Sequence, residues 1–147
     1  MVVSVDGSNE AQWAGLWEAL GLELWGDDAS LADHFLEERG KIYYHNEFIY
    51  CADGVPVGLL SLGLRHDYVE GTKSSPVAYL EGIYVAPSHR GRGITRELVG
   101  FAKKWAKEKG CVELASDCEL GNDASEAFHK AVGFKEANRI ICFTMDI

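Results

Sequence analysis

The stretch Arg90-Gly91-Arg92-Gly93-Ile94-Thr95 has the residue types to hold an anion on main-chain amides. It follows the apolar run Leu80-Glu81-Gly82-Ile83-Tyr84-Val85, which Pro87 stops, and it leads into Thr95-Arg96-Glu97-Leu98-Val99, where a helical pattern begins. Two glycines open backbone conformations that other residues avoid. Unpaired N–H groups at a helix start converge where the macrodipole also favours negative charge. Strand, glycine-rich turn and helix, in that order, predict a cradle for a pyrophosphate. Spacing excludes two other glycine-loop chemistries. There is no Gly-x-x-x-x-Gly-Lys-Ser/Thr, and the turn lacks the Gly-x-Gly-x-x-Gly of a dinucleotide fold with an acidic residue about 20 positions on.

The elements that must position this turn are legible along the chain. Val2 to Val5 reads as a short strand. Ser8 or Asn9 then caps a helix with Trp13, Leu16, Trp17, Leu20 and Leu24 at helical spacing. A second short helix is expected from Asp27-Asp28 to about Arg39. Phe48 to Ala52, the turn Asp53-Gly54 and Val55 to Leu64 form a hairpin, because Asp-Gly supplies the positive φ of a tight turn. Arg65 to Pro76 is a polar loop and Val77 to Val85 the central strand. The cradle opens a long helix to Lys109, followed by a strand at Val112 to Ser116, a helix from about Ala124 to Val132 and a last strand from Arg139 to Asp146.

At 147 residues the chain is expected to form one domain over 1–147. Hydrophobic residues at 47% and charged residues at 25% fit a soluble globular protein. The longest apolar runs fall short of a membrane span and the start lacks the features of a signal peptide, which reads as a cytoplasmic protein. Cys51, Cys111, Cys118 and Cys142 contain no Cys-x-x-Cys pair, so no zinc or dithiol site is indicated and buried free thiols are expected. The 23 acidic against 14 basic residues give a net charge of −9, which disfavours nucleic acid and anionic membrane as partners and attracts polycations.

Together with its strand and proline, the turn resembles the acetyl-CoA signature of the GNAT-type N-acetyltransferases, Gln/Arg-x-x-Gly-x-Gly/Ala, with Thr95 where that family has a small residue. The element order is similar to that family over nearly the whole chain. The resemblance implies an α/β (α+β) GNAT fold: a mixed, mostly antiparallel central sheet with helices on both faces and a V-shaped splay between Val77–Val85 and Val112–Ser116. It further implies acetyl-CoA as cosubstrate, with no metal. Its pantetheine arm would pair with main-chain groups of Ile83 and Val85 as an added strand, and its pyrophosphate would lie on Arg90, Gly91, Arg92, Gly93, Ile94 and Thr95. Asn122 matches the family position that touches pantetheine, or else caps the following helix.

Acetyl transfer from a thioester to an amine needs a neutral amine, a donor to the developing oxyanion and a proton source for the departing thiolate. Glu81 and Asp117, at the ends of the two splayed strands, can each take the amine proton or hold a substrate cation. His129 stands where many family members place a tyrosine acid, four residues before Gly133-Phe134. It can donate a proton or simply bond to coenzyme A. Cys118 lacks an evident paired base, which argues against a covalent acyl-enzyme.

Tyr68-Val69-Glu70-Gly71-Thr72, Ser75-Pro76-Val77, Leu80 to Val85, Trp105-Ala106, Ala115-Ser116-Asp117 and His129 through Phe134 together resemble the aminoglycoside 6'-N-acetyltransferases. That narrower resemblance implies a small polycationic aminoglycoside lying along Trp25, Tyr68, Glu70, Glu81, Asp117 and Glu136, antibiotic resistance as the outcome, and a homodimer whose second chain helps complete the site. Aromatic faces and carboxylates suit such a ligand. Two other functions fit the same residues: acetylation of a polyamine or protein amine, and a non-catalytic acyl-CoA sensor.

Overall fold

The computed structural model describes residues 1–26 and 46–147. Within them the chain runs β1 (Val2–Ser4), α1 (Glu10–Trp25), β2 (Glu47–Ala52), β3 (Val55–Arg65), β4 (Val77–Val85), α2 (Ile94–Glu108), β5 (Leu114–Ser116) and α3 (Asp123–Ala131). The helix expected after Asp27-Asp28 lies outside the described residues. The strands order as β1-β2-β3-β4-β5, antiparallel except for the parallel pair of β4 and β5. Asp53 and Gly54 turn the β2–β3 hairpin with φ of 50° and 78°, as their sequence requires.

Side chains alternate across the sheet, and each face buries its own set against a helix. Phe48, Tyr50, Leu60, Leu62 and Leu80 pack with Ile94, Leu98, Ala102 and Trp105 of α2. Ile49, Leu59 and Tyr84 point the other way and meet Trp13, Leu16 and Trp17 of α1. Burying each such side chain stabilises the fold by roughly 1.5–3 kcal/mol. Glu47 is 1% exposed between these layers. A carboxylate survives there only if its oxygens are bonded, and it accepts from Trp13 Nε1 at 2.9 Å, Trp17 Nε1 at 3.3 Å and the Ser61 hydroxyl.

Two irregularities prepare the site. The β3–β4 register slips so that Ser61 faces Gly82 and Leu62 faces Leu80, leaving Glu81 as the extra residue of a bulge. The β4–β5 pairing covers only Ala78–Leu80 against Leu114–Ser116. Beyond Leu80 and Ser116 the two strands part, forming the expected V.

Two expectations are corrected. The last strand, Arg139 to Asp146, does not form: no helix or strand occurs from Phe134 to Ile147. A strand needs a neighbour for its main-chain groups, and none of the described strands of the chain receives it. The four cysteines are free, but only Cys111 is buried, while Cys118 and Cys142 are exposed because they lie beyond β5 and in that irregular tail. No helix among the described residues is long and apolar enough to cross a membrane.

Candidate active site

The bulge at Glu81 decides which main-chain groups of β4 face the wedge. Before it, Ala78 N donates to the Glu113 carbonyl at 3.2 Å and the Leu80 carbonyl accepts from Ser116 Oγ at 3.2 Å, so even-numbered residues address β5. After it, Ala86 N donates to the Val57 carbonyl of β3 at 2.8 Å. Alternation then turns Val85 and Ile83 away from β3, toward the open side. One extra residue thus turns the main-chain groups of Ile83 and the N–H of Val85 toward the open side, away from β3.

At the end of β4, Gly91 and Gly93 adopt φ of 75° and 82°. A methyl group added at either would meet nothing within 4 Å, so open space lies over the turn. Gly93 caps α2 without any side-chain hydrogen bond, which leaves the first helical amides for an incoming anion. Ile94 is 5% exposed and anchors the turn in the α2 core, Thr95 is half-buried and Arg92 exposed. The Arg90 side chain is engaged within the chain. Its guanidinium pairs with Glu23 of α1 and its Nε donates to the Val85 carbonyl at 2.8 Å, so its side chain braces the strand instead of lining the turn.

Glu81 and Asp117 are brought into one network at the mouth of the wedge. Arg65 Nη2 donates to both oxygens of Glu81, at 3.1 and 3.0 Å. The same guanidinium lies 3.4 Å from the centroid of the Tyr79 ring. Tyr79 in turn donates its hydroxyl to Asp117. Burial, and then the bond to the Asp117 carboxylate, push the Tyr79 hydroxyl far above the usual tyrosine range. Tyr79 is therefore a permanent donor, and it orients the carboxylate that follows β5.

Next to Asp117, Ser116 Oγ lies 2.8 Å from His129 Nε2. The other ring nitrogen, Nδ1, lies 2.7 Å from the Ser125 carbonyl. A carbonyl only accepts, so Nδ1 carries a hydrogen. Phe128 and Phe134 pack edge-on against the ring at 5.0 and 5.3 Å. This arrangement holds the ring in place and points Nε2 toward the strand end that carries Asp117.

The remaining expected residues spread around this centre. Tyr68 is 76% exposed, and its hydroxyl accepts from Gly71 N at 3.4 Å. Glu70 accepts from Asn138 Nδ2 at 2.9 Å. Glu136 pairs with Arg139 at 2.5 Å, which holds its carboxyl below the usual range. Trp25 is the half-buried last residue of α1. Asn122 caps α3 by accepting from Ser125 N at 3.1 Å. Sequence reasoning missed Arg65, Tyr79 and Ser116. Their meeting depends on the β3–β4 register, which sets Arg65 opposite Val77 and Gly63 opposite Tyr79.

Comparison with known proteins gives a consistent picture. The family model described as "Acetyltransferase (GNAT) family" matches residues 10–134. An aminoglycoside N(6')-acetyltransferase type 1 of Salmonella typhimurium strain LT2 is 44% identical over 130 residues, covering 86% of this chain and 88% of the relative. The crystal structure of an aminoglycoside antibiotic 6'-N-acetyltransferase from Acinetobacter haemolyticus superposes with a TM-score of 0.84 at 32% identity, covering 100% of this chain and 99% of the other. AAC(6')-Iy, solved with the bisubstrate analogue CoA-S-monomethyl-acetylneamine, superposes with a TM-score of 0.81 at 35% identity, covering 100% and 98%.

Proposed function

The chain belongs to the acetyltransferase (GNAT) family, and on that premise we propose that it acetylates the 6'-amino group of an aminoglycoside, with acetyl-CoA as donor, and so confers resistance. The observation that carries this reading is the joining of Glu81 and Asp117, through Arg65 and Tyr79, at the mouth of the β4–β5 wedge. Two carboxylates at one opening suit an acceptor with several ammonium groups.

The residues fit the cosubstrate. Open space over Gly91 and Gly93 and the start of α2, which has no side-chain cap, suit a pyrophosphate, and the outward main-chain groups of Ile83 and N–H of Val85 suit an extended amide-bearing arm. Acetyl-CoA supplies an activated acyl group when bound. Asp117 or Glu81 takes the amine proton, directly or through water. The N–H of Ile83 or Val85 donates to the acetyl oxygen as charge develops there. His129, held through Ser116, gives a proton to the leaving sulfur. Amine and thioester react in one ternary complex, without a covalent enzyme intermediate. Trp25, Tyr68, Glu70 and Glu136 extend the acceptor surface, Asn122 flanks the pantetheine path, and a homodimer is the assembly. The cytoplasm, which holds acetyl-CoA, is the compartment this reading assigns.

The test is release of coenzyme A thiol against a panel of kanamycin-like, polyamine and peptide acceptors. Turnover is expected with the aminoglycosides. Turnover restricted to polyamines or peptides would replace the acceptor, and binding of acetyl-CoA without release for any of them would identify a sensor.

A further inference from the structure

Glu47, the first residue of β2, is 1% exposed and stands in a cross-strand row that ends at the bulge of the site. It lies opposite Ser61 in the β2–β3 register, and Ser61 lies opposite Gly82 in the β3–β4 register. Gly82 follows Glu81, the extra residue of the bulge, and precedes Ile83. The next row on the face toward α1 is Ile49, Leu59 and Tyr84, buried with Trp13, Leu16 and Trp17. Hydrocarbon and an aromatic ring therefore suffice for packing against α1 one row away. The row at the bulge instead carries a carboxylate, a hydroxyl and a residue without a side chain.

These three residues are tied to one another and to α1. Both carboxylate oxygens of Glu47 accept, Oε2 from Trp13 Nε1 at 2.9 Å and from Trp17 Nε1 at 3.3 Å, and Oε1 from the Ser61 hydroxyl. The Trp17 indole lies over Gly82, where a side chain would collide with it. One buried carboxylate thus holds both neighbours of Gly82, the ring over it and the residue beside it. For stability alone a buried carboxylate is a poor device, since apolar side chains of similar volume often hold a fold as well. What it adds is direction. Hydrogen bonds fix the distance and angle of the groups they join, whereas hydrophobic contact is non-directional.

We propose that Glu47 is a positioning residue for acetyl transfer. Through Trp17 and Ser61 it sets where Gly82 lies, and with it the bulge that presents the Glu81 carboxylate to the acceptor and the Ile83 main chain to the thioester. Glu47 itself touches neither substrate. This deepens the acetyltransferase reading above and rests on it, extending the working parts of the site to a buried residue of β2.

Variants of the full chain test this, with folding checked by circular dichroism and a melting temperature read beside every rate. Glu47→Met keeps the volume and removes the acceptor of the indole and hydroxyl bonds. Its kcat, measured well below its melting temperature, is expected to fall by about 10- to 100-fold, the scale of a misplacement of about 1 Å at a reacting group. Coenzyme A affinity should fall less than kcat, because the pyrophosphate turn lies beyond Pro87 and outside this row. Glu47→Gln should restore most of the rate, since its amide oxygen can accept from the indoles and its amide nitrogen can donate to Ser61 Oγ. A folded Glu47→Met with the parent's kcat and a lower melting temperature overturns the proposal and leaves Glu47 a packing residue. Equal losses of kcat and coenzyme A affinity overturn it too, as a general loosening. Ser61→Ala, which removes a single bond, decides by the same comparison if Glu47→Met does not fold. A second readout needs no acceptor. The Trp17 indole N–H resonance of heavy-nitrogen protein, assigned by its loss in Trp17→Phe, should move when coenzyme A is added to the parent, and a resonance that stays put breaks the link between Trp17 and the site. A parent that turns over only polyamines or peptides overturns the aminoglycoside reading alone, and the variants are then compared on those acceptors. A parent that turns over none overturns both.

Discussion

Arg65 grips Glu81 by both carboxylate oxygens, at 3.1 and 3.0 Å. Its guanidinium is thus in competition with any acceptor ammonium that would pair with the same carboxylate. The two side chains are 43% and 24% exposed, so solvent screens the pair and exchanging one cation for another costs little, about 0–1 kcal/mol. Removing the internal cation clears the site. Arg65→Gln is expected to lower the aminoglycoside KM by up to about fivefold with little change in kcat. Steady-state kinetics over an acceptor titration decides this, and a raised KM would mean that Arg65 holds Glu81 in its working position instead.

Asp117 has two roles that a single substitution separates. As the group that takes the amine proton, its loss in Asp117→Asn should lower kcat by roughly 10²–10⁴-fold. As the acceptor of the Tyr79 hydroxyl, its carboxylate helps to keep that phenol protonated, so the same variant should bring Tyr79 back toward the ordinary tyrosine value of about 10. Rate assays and the phenolate absorbance band under alkaline titration read the two effects independently. Glu81→Gln should instead act mainly on acceptor KM. Unchanged kinetics in both variants would remove these carboxylates from the mechanism.

The parts of this architecture that depend on short-range chemistry were legible in the sequence. Asp53-Gly54 fixed a hairpin, Pro87 and the two glycines fixed a strand–turn–helix, and Trp13, Leu16 and Trp17 fixed the buried stripe of α1. What escaped depends on register between distant segments. The bulge at Glu81 arises from how β3 and β4 pair, and only that slip turns Ile83 and Val85 toward the wedge. Arg65 and Tyr79 matter because the hairpin sets them side by side, and nothing in their local sequence signals it. Arg90 has the family's residue type, yet Glu23, which pairs with it, lies 67 residues away. The tail's apolar alternation predicts a strand that does not form, because strand formation depends on a neighbour and none of the described strands pairs with residues 139–146.

Gly82 is required by a close approach that neither its strand nor its conformation reveals. A methyl group at this position would stand 2.4 Å from Trp17 Cη2 and 3.0 Å from Cζ3. Trp17 is fully buried with its Nε1 donating to Glu47 at 3.3 Å, so the indole has little room to retreat. Overpacking of this kind costs about 1–3 kcal/mol. Gly82→Ala is expected to lower the melting temperature by about 2–4 °C for each kcal/mol lost. It should also weaken acetyl-CoA binding, because the displaced strand carries Glu81 and Ile83. A melting curve identical to the parent's would show that α1 can shift at no cost.

Glu113 supplies a pH-dependent staple between the start of β5 and the loop before β4. Its carboxylate accepts from the Ser74 hydroxyl at 2.5 Å and from Lys73 N at 2.8 Å. The Ser74 bond first, then the main-chain bonds, hold its pKa below the usual glutamate range. A carboxyl depressed in the folded state contributes stability that is complete above its unfolded value of about 4.3 and is lost as the pH falls through the folded value. Glu113→Gln lacks this titration, although an amide can keep one of the two bonds. The variant should therefore melt below the parent at neutral pH, and the gap should close between roughly pH 6 and pH 3. Asp6, Glu126 and Glu136 are also depressed, but they titrate alike in both proteins and cancel in the difference. Thermal melts of the two proteins across that range measure the gap directly. A gap that stays constant would assign the contribution of Glu113 to packing, and the loop would then be held to β5 by contacts indifferent to protons.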